Sequence, residues 1–236
     1  VAINHGMDMS TFSLRAEDDW ALDPGELDAA VSNDTRLIAV CNPNNPTGNV
    51  LSRREMELIV AAAERAGFAA VALRYFNVAG SDPGGRIGQS TRKATLLIKV
   101  ACEAAVGKRD VVSIFGTDYP TPDGTGVRDY IHVDDLADAH IRALDYLRAG
   151  GESATLNCGY GHGYSVREVL DTVSRVNGSP LTIHEEPRRA GDPPMLVARA
   201  DRVRELLKWT PRHDDLEVIV RTSLEWERRL LAEPPE

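Results

Sequence analysis

The stretch VRDYIHVDDLADAH, residues 127–140, concentrates side chains that could bind a ligand or a metal ion. Carboxylate and imidazole groups such as Asp134, Asp135, Asp138 and His140 are common metal ligands. If a helix begins near Asp134, then Asp134 and Asp138 share one helix face because they are four residues apart. His140 falls instead on the apolar stripe of that helix. The pattern therefore favours a solvated acidic helix start, and we expect no metal site.

A glycine-rich stretch, GYGHGYS at residues 159–165, has the setting of a phosphate-binding loop, because a predicted strand precedes it and a predicted helix follows it. The dinucleotide fingerprint G-x-G-x-x-G requires glycine at its sixth position, where this sequence has Tyr164. We therefore do not expect this loop to hold the phosphates of a dinucleotide.

An Asn/Pro-rich stretch, CNPNNPTG at residues 41–48, follows a predicted buried strand. With LDPGEL at 22–27 and LSRREMELIVAAAERAG at 51–67, it resembles the large domain of the fold-type I aminotransferases, which use pyridoxal phosphate (PLP). The resemblance covers about residues 1–68. It implies that Asn45 donates its amide to the phenolate oxygen of PLP, a role that suits a neutral donor of fixed geometry. The alternative is an Asn in a proline turn.

The lysines favour that alternative. PLP enzymes bind their cofactor as a Schiff base on a lysine, which the aminotransferases hold in a Ser-Lys motif. The lysines of this sequence are Lys93, Lys99, Lys108 and Lys208, and none of them follows a serine. We therefore do not expect PLP to bind, and Asn45 is at most a vestigial contact.

Four longer blocks resemble a second family. They are residues 72–91, ALRYFNVAGSDPGGRIGQST; 112–151, VSIFGTDYPTPDGTGVRDYIHVDDLADAHIRALDYLRAGG; 156–170, LNCGYGHGYSVREVL; and 185–194, EEPRRAGDPP. Together they resemble the UDP-glucose 4-epimerases, which are extended short-chain dehydrogenases/reductases, over about residues 66–232. The resemblance implies an α/β fold, namely the substrate-binding half of an extended Rossmann-type epimerase. In that family this half binds the UDP-sugar and the other half binds NAD.

The resemblance also implies roles for single residues. Asn77 matches the Asn that contacts the sugar nucleotide, and Arg128 and Arg189 match the two arginines that hold the diphosphate. Asp192 matches the carboxylate that binds the ribose hydroxyls. These residue types suit the ligand, because a guanidinium pairs with phosphate through a planar fork and a carboxylate accepts from a diol. Taken one at a time, each could equally be a surface ion pair.

Further substrate positions implied by the resemblance are Tyr130, beside Arg128, together with Leu97 and Leu196. Leu196 stands where the family has a residue that gates the sugar, and a side chain smaller than an aromatic there is compatible with N-acetylated sugars. Tyr75 lies where the family's chain passes the nicotinamide, which makes it a cofactor-side position.

Some family positions differ in this sequence. Leu96 replaces an Asn or His of the family, and residues 92–93 replace a Pro-Asn pair. The catalytic machinery is also missing. No tyrosine is followed four residues later by a lysine, and no G-x-x-G-x-x-G fingerprint occurs. We therefore expect a chain that binds UDP-sugar without converting it, and we assign no catalytic residue. The alternatives are a non-catalytic sugar-nucleotide-binding module and a fragment of a PLP-dependent aminotransferase.

The order of predicted elements indicates how the two resemblances join. Strands alternate with helices, which is typical of an α/β fold. Ser52 and Glu55 form a capping box at one predicted helix, and Ser165 and Glu168 form another. The join near 62–70 keeps a helix followed by a strand. We interpret the chain as a fusion, with residues 1–68 aminotransferase-like and residues 69–236 the UDP-sugar-binding part.

Other elements are predicted less directly. Residues 37–41 have the composition of a buried strand, residues 90–107 that of a helix, and residues 111–115 that of a strand. A further helix is expected after residue 133, capped by Asp134 or Asp135.

Composition narrows the partners. The net charge is −9, which argues against sequence-independent binding of nucleic acid. No apolar run reaches the roughly 18 residues of a membrane span, so we expect no membrane partner. The sequence has 3 cysteines, an odd number without close spacing, and its start lacks the features of a signal peptide. We therefore expect a cytoplasmic location with reduced, buried thiols, and possible homodimers or other self-association.

Overall fold

The computed structural model describes residues 10–35, 38, 40, 50–67, 69–91 and 94–232. Asn45 and most of the strand predicted at residues 37–41 therefore lie outside the described residues. The helices are α1 Pro24–Ala30, α2 Arg53–Arg65, α3 Leu97–Ala105, α4 Val133–Arg148, α5 Val166–Asn177, α6 Asp201–Leu207 and α7 Leu216–Ala232, and a 3-10 helix lies at Ala16–Asp18. The strands are β1 Val71–Arg74, β2 Asn77–Ala79, β3 Val112–Phe115, β4 Val127–Arg128, β5 Tyr130–His132, β6 Ala154–Asn157, β7 Tyr164–Ser165, β8 Ile183–Glu186 and β9 Met195–Leu196.

The chain divides into two compact units, of which the first comprises the described parts of Val1–Ala70 and Gly150–Ala154. Helices α1 and α2 pack around an apolar core made by Leu22, Leu27, Leu51, Ile59 and Ala62. The capping box predicted at α2 is confirmed, with Ser52 Oγ accepting from the Glu55 N–H and Glu55 accepting from the Ser52 N–H. Glu55 also accepts from the Leu22 N–H at 2.7 Å, which ties the start of α2 to the segment before α1.

The second unit comprises Val71–Ala149 and Thr155–Glu236, as far as they are described. Helices α3, α5 and α7 pack against one another and share a buried core. That core contains Ile98, Ala101, Cys102, Val169, Leu170, Val173, Ile219, Val220 and Leu224. The capping box predicted at α5 is confirmed through Ser165 and Glu168, and Gly178 ends this helix in the left-handed conformation at φ 79°.

Short strands of the second unit set the register of the substrate positions. β2 runs parallel to β5 with Asn77 opposite Tyr130, and β3 runs parallel to β8. β4 runs antiparallel to β7 and parallel to β9, so Arg128 lies opposite Leu196. Parallel pairs need crossover connections, which the intervening helices supply. The α/β class predicted from the sequence is confirmed.

Helix α3 is shorter than predicted. It begins at Leu97 instead of near residue 90, and Leu96 caps it in an extended conformation without a side-chain hydrogen bond. Trp226 of α7 explains part of the difference. Its indole N–H donates to the Gln89 carbonyl at 3.1 Å, and its ring fills the space next to Gly88. These contacts hold Gly88 and Gln89 against α7 outside any helix.

Helix α4 differs from its prediction at its cap and on its faces. His132 caps it, with Nδ1 accepting from the Asp134 N–H at 3.1 Å, so the expected Asp134 or Asp135 cap is wrong. Asp135 is instead buried and bonded elsewhere. The expectation that His140 belongs to the buried apolar stripe of this helix is also wrong. The side chains of His140 and Ile141 are exposed, and the buried face of α4 is formed by Leu136, Ala139 and Ala143 with Asp135.

The cysteines within the described residues behave as predicted. Cys102 and Cys158 are fully buried and free, and burial raises the pKa of each thiol to about 12. Both therefore act as small apolar side chains. Across the described ranges, none of the helices combines the length and the hydrophobicity needed to cross a bilayer.

Candidate functional site

Three of the predicted substrate residues line one pocket of the second unit. Asn77 and Tyr130 reach it from the paired strands β2 and β5, and Leu97 reaches it as the first residue of α3. The pocket therefore lies where the paired strands β2 and β5 meet the start of α3. Trp226 and Glu227 of α7 complete the wall on another side.

Asn77 and Tyr130 are held differently. The Asn77 side-chain amide donates to the Asp129 carbonyl at 3.3 Å, which fixes its orientation. Tyr130 is 4% exposed, and burial raises the pKa of its hydroxyl, with the nearby Arg128 charge acting in the opposite direction. Tyr130 therefore stays a neutral hydroxyl at physiological pH, able to donate a hydrogen bond but not to act as a base.

We call residues 127–132, which run through β4, Asp129 and β5, the Arg128 strip. Asp192 and Leu196 lie next to Arg128 on this strip. Arg128 is partly buried, and its guanidinium donates to the Val127 carbonyl at 2.9 Å. A second guanidinium nitrogen lies 3.8 Å from the Asp192 carboxylate, a loose ion pair with the acid 43% exposed. Leu196 is the direct neighbour of Arg128 in the β4–β9 pair. Most of the donors of Arg128 thus remain available to an anionic ligand.

Arg189 occupies a separate position on an exposed loop. Its guanidinium lies over the ring of Phe115, 3.7 Å from the ring centre, in a cation–π contact. In the described part of the chain it has no carboxylate within ion-pair distance. Its connection to Asp192 is through the backbone, because the Asp192 N–H donates to the Arg189 carbonyl at 3.4 Å in a turn. Phe115 was not singled out in the sequence analysis.

Tyr75, the predicted cofactor-side position, lies away from this pocket. It follows β1, it is 45% exposed, and its ring makes an edge contact with the His140 ring at 5.9 Å between centres. Neither residue is among those that line the pocket. Asn45, the other predicted cofactor position, lies outside the described residues.

A buried ion network next to the pocket is a feature that the sequence analysis missed. Lys99 of α3 contacts Glu227 of α7 and, at 3.1 Å, Glu103 on its own helix. Glu227 also accepts from Lys108 at 3.0 Å, and Glu103 accepts from Arg109 at 2.5 Å. The i, i+4 spacing of Lys99 and Glu103 is visible in the sequence. Their burial, and the partnership with Glu227 more than a hundred residues away, is not.

In each of the two motifs that resemble a binding site, several polar groups are bonded within the protein. In the glycine-rich loop, the N–H groups of Tyr160 and Gly161 donate to the buried Asp129 carboxylate, at 3.0 Å each, and so are taken up by the protein. In the acidic stretch, Asp138 pairs with Arg142 at 2.7 Å, and the His140 ring bonds to the backbone of its own helix.

One group of possible metal ligands does come together, namely His132, Asp134 and His213. His132 is unsuited to bind a metal, because both ring nitrogens are engaged. Nδ1 accepts from the Asp134 N–H, so Nε2 carries the proton and donates to Thr222 Oγ1 at 3.2 Å. Burial and the neighbouring His213 lower the pKa of His132, which keeps it neutral. The prediction of no metal stays a prediction.

Comparison with known proteins assigns the family. The model of the NAD dependent epimerase/dehydratase family matches residues 31–159, more than half of the chain. The chain belongs to this family. Its match begins inside the segment that we assigned to an aminotransferase, and it includes α2 and the strip that carries Arg128.

Known relatives place the chain within the family more closely. It is 57% identical over 188 residues to the UDP-glucose 4-epimerase of Azospirillum brasilense, covering 80% of this chain and 54% of the relative. Among solved structures, the UDP-Glc/GlcNAc 4-epimerase of Campylobacter jejuni superposes with a TM-score of 0.65 at 45% identity, covering 84% of this chain and 59% of that one. The chain thus spans little more than half the length of these relatives. The resemblance to UDP-glucose 4-epimerases and the Rossmann-like epimerase fold are confirmed.

A third relative was solved with ligands. The UDP-glucose 4-epimerase of Stenotrophomonas maltophila, determined with NAD and formylated UDP-arabinopyranose, superposes with a TM-score of 0.72 at 34% identity, covering 86% of this chain and 61% of that one. NAD is the cofactor of the family. The residues of this chain do not fit it. The sequence contains no dinucleotide fingerprint, and in the glycine-rich loop at residues 159–163 the N–H groups of Tyr160 and Gly161 donate to Asp129.

Proposed function

We propose that this chain binds UDP-sugars as the substrate-binding part of a UDP-glucose 4-epimerase, without catalysing the epimerisation itself. The observation that carries the proposal is the convergence of Asn77, Leu97 and Tyr130 on one pocket, with Arg128 two residues before Tyr130 in the chain. The relatives named above support the substrate class, since one of them was solved with a UDP-sugar derivative.

Charge supports the same ligand. A nucleoside diphosphate brings negative charge into a site that offers guanidinium groups with unused donors. Arg128 has only a loose ion pair, and Arg189 rests on an aromatic ring. An aromatic contact leaves the planar N–H edge of a guanidinium free, and this edge is the part that pairs with phosphate. Asp192, on the turn that follows Arg189, supplies an exposed acceptor suited to ribose hydroxyls.

Alanine replacement of the two arginines tests this binding role. We expect Arg128→Ala and Arg189→Ala each to weaken UDP binding at least tenfold, because a lost charge-assisted hydrogen bond costs about 1.5–3 kcal/mol. Isothermal titration calorimetry with UDP measures the change. Arg53→Ala is the matched control, since Arg53 is almost fully exposed on α2 and forms an ion pair with Glu57 of the same helix. Unchanged affinity in both site variants, or no binding by the parent chain, would refute the assignment.

The origin of the first unit belongs to the same proposal. We infer that residues 1–68 are an aminotransferase-like segment fused to the epimerase part, with the domain division at 68/69. In support, the described residues up to Ala70 belong to a compact unit with a core of its own. The family match from residue 31 counts against it, because that match reaches well into the segment.

The cytoplasmic location expected from the sequence stays a prediction.

The cofactor of the aminotransferases provides a test of what this segment can do. We expect no internal aldimine when PLP is added, because no lysine stands in a Ser-Lys motif and Lys99, the lysine most deeply buried among those described, is bound to Glu227 and Glu103. An absorbance scan of the chain with PLP, before and after borohydride, measures this. Bovine serum albumin reports nonspecific adducts of surface lysines. A borohydride-sensitive band that peptide mapping assigns to a single lysine would contradict this prediction.

A further inference from the structure

Asp129 lies between two predicted substrate residues, Arg128 and Tyr130, yet its own side chain does not line the pocket. It is 1% exposed, and every polar group it carries has a partner. Burial of a carboxylate is costly unless hydrogen bonds replace its water, so this position must be maintained by specific contacts. The identity of those contacts shows what the residue does.

The backbone of Asp129 joins two strands of the site. Its N–H donates to the Leu196 carbonyl at 3.1 Å, which extends the β4–β9 pairing by one residue. Its carbonyl accepts from the Asn77 side-chain amide at 3.3 Å. The position of the Asn77 amide in the pocket and the register of Leu196 beside Arg128 therefore both depend on where this residue lies.

The carboxylate of Asp129 joins two loops. One oxygen accepts from the Tyr160 N–H at 3.0 Å, and the other accepts from the N–H groups of Gly161 at 3.0 Å and Ala198 at 3.2 Å. Gly159 approaches so closely that a side chain there would meet the carboxylate, since an added Cβ would lie 2.7 Å from its oxygen. The loop after β6 and the loop after β9 are thus clamped onto the strip that carries Arg128.

We propose that Asp129 is a positioning residue of the nucleotide site, acting through Arg128 and Asn77. The inference rests on the proposed function, because it assumes that Arg128 binds the diphosphate. In Asp129→Asn, an NH₂ group replaces one of the two carboxylate oxygens. Both oxygens accept from backbone N–H groups, so the new NH₂ group faces an N–H donor in either position. At least one of the two loops then loses its hydrogen bond to residue 129. The backbone that carries Arg128 is no longer held in place by that loop.

Asp135 provides a matched control for a carboxylate that only stabilises the fold. It is 2% exposed, and it accepts from the N–H groups of Arg212 at 2.8 Å and His213 at 2.9 Å and from the Tyr160 hydroxyl at 2.7 Å. None of these partners is a predicted substrate residue. Asp135→Asn should therefore lower stability as Asp129→Asn does, while the folded protein keeps its affinity for UDP.

A double-mutant cycle distinguishes positioning from general destabilisation. UDP is titrated into the parent, Arg128→Ala, Asp129→Asn, the double variant and Asp135→Asn, each well below its thermal transition. We expect Asp129→Asn to weaken binding about tenfold, the loss of one charge-assisted contact. We expect little further loss when it is added to Arg128→Ala, because two residues that act as a unit are not additive. Asp135→Asn should bind as the parent does.

Each contrary outcome has a distinct meaning. Parent-like affinity of Asp129→Asn, full additivity with Arg128→Ala, or an equal loss in Asp135→Asn would overturn the positioning role while leaving UDP binding intact. Absence of UDP binding by the parent would instead remove the proposed function and this inference with it. If Asp129→Asn does not fold, Asp129→Glu carries the same test, because it keeps the charge and displaces the carboxylate by one methylene.

Discussion

With NAD added in excess, this chain is expected to convert UDP-galactose to UDP-glucose no faster than the background rate measured in buffer without protein. The hydride of this reaction must pass to a nicotinamide that the protein holds, and the sequence has no dinucleotide fingerprint to hold one. The proton must pass to a base, and none of the 6 tyrosines has a lysine four residues later. General acid–base catalysis alone typically raises a reaction rate 10²–10⁴-fold, and this chain lacks the pair that would provide it.

Within the described residues, neither the tyrosine nor the lysine that lines the pocket replaces the missing Tyr-x-x-x-Lys pair. Tyr130 is the tyrosine that lines it, and burial raises the pKa of this hydroxyl, which is the opposite of the activation that a general base needs. Lys99 is the pocket lysine among the described residues, and its ammonium is bound to Glu227 and Glu103 rather than to a tyrosine. Neither residue can take over the missing pair.

A coupled assay that detects UDP-glucose measures this prediction. A full-length epimerase added to the same mixture shows that the assay responds, and the chain without NAD gives the blank. Turnover that follows this chain through purification, at a constant rate per milligram, would mean that other residues do the chemistry.

Size-exclusion chromatography of the same samples reports the predicted self-association, which the exposed Ile141 and Leu144 of α4 favour.

Sequence motifs predicted the helix caps correctly only where both partners of the capping hydrogen bonds lie within one turn of the helix. Ser52–Glu55 and Ser165–Glu168 each form their capping box, because both partners lie within one turn. The cap of α4 is His132, which the acidic pattern after it obscured. Asp135 fits a cap by composition, yet contacts with Arg212 and His213, far along the chain, take its carboxylate inside the protein.

The substrate strip could be found only by resemblance. No local signal in the sequence sets Arg128 apart from the other arginines, and the register that brings Asn77 opposite Tyr130 depends on strands separated by about fifty residues. The exposure of Ile141 could not be predicted from the sequence either. Periodicity shows that a helix has an apolar face, but it does not show whether another part of the protein covers that face.

The partnership of Lys99 with Glu227 has the same long-range origin, and it leads to the largest expected change in stability. Glu227→Gln should lower the free energy of unfolding by about 3 kcal/mol, near the lower end of what breaking a buried ion pair costs. Glu227 is 1% exposed and contacts both Lys99 and Lys108. Glutamine keeps the shape of the side chain but leaves Lys99, itself 7% exposed, with Glu103 as its remaining anionic partner.

The two lysines should contribute unequally to that loss. Lys108 is 28% exposed and can turn toward water, whereas Lys99 cannot be solvated without opening the contact between α3 and α7. Urea unfolding followed by circular dichroism measures the change. Glu225→Gln, an exposed position two residues earlier on α7, is the control and should lie within about 0.5 kcal/mol of the parent.

Replacing both partners then separates charge from packing. Lys99→Met with Glu227→Leu removes the whole pair, so no buried charge is left alone, and apolar replacement of a buried pair is often neutral or stabilising. We expect the double variant to recover most of the stability that Glu227→Gln loses. A Glu227→Gln variant as stable as Glu225→Gln, or a double variant less stable than Glu227→Gln, would show that the α3–α7 contact does not depend on this ion pair.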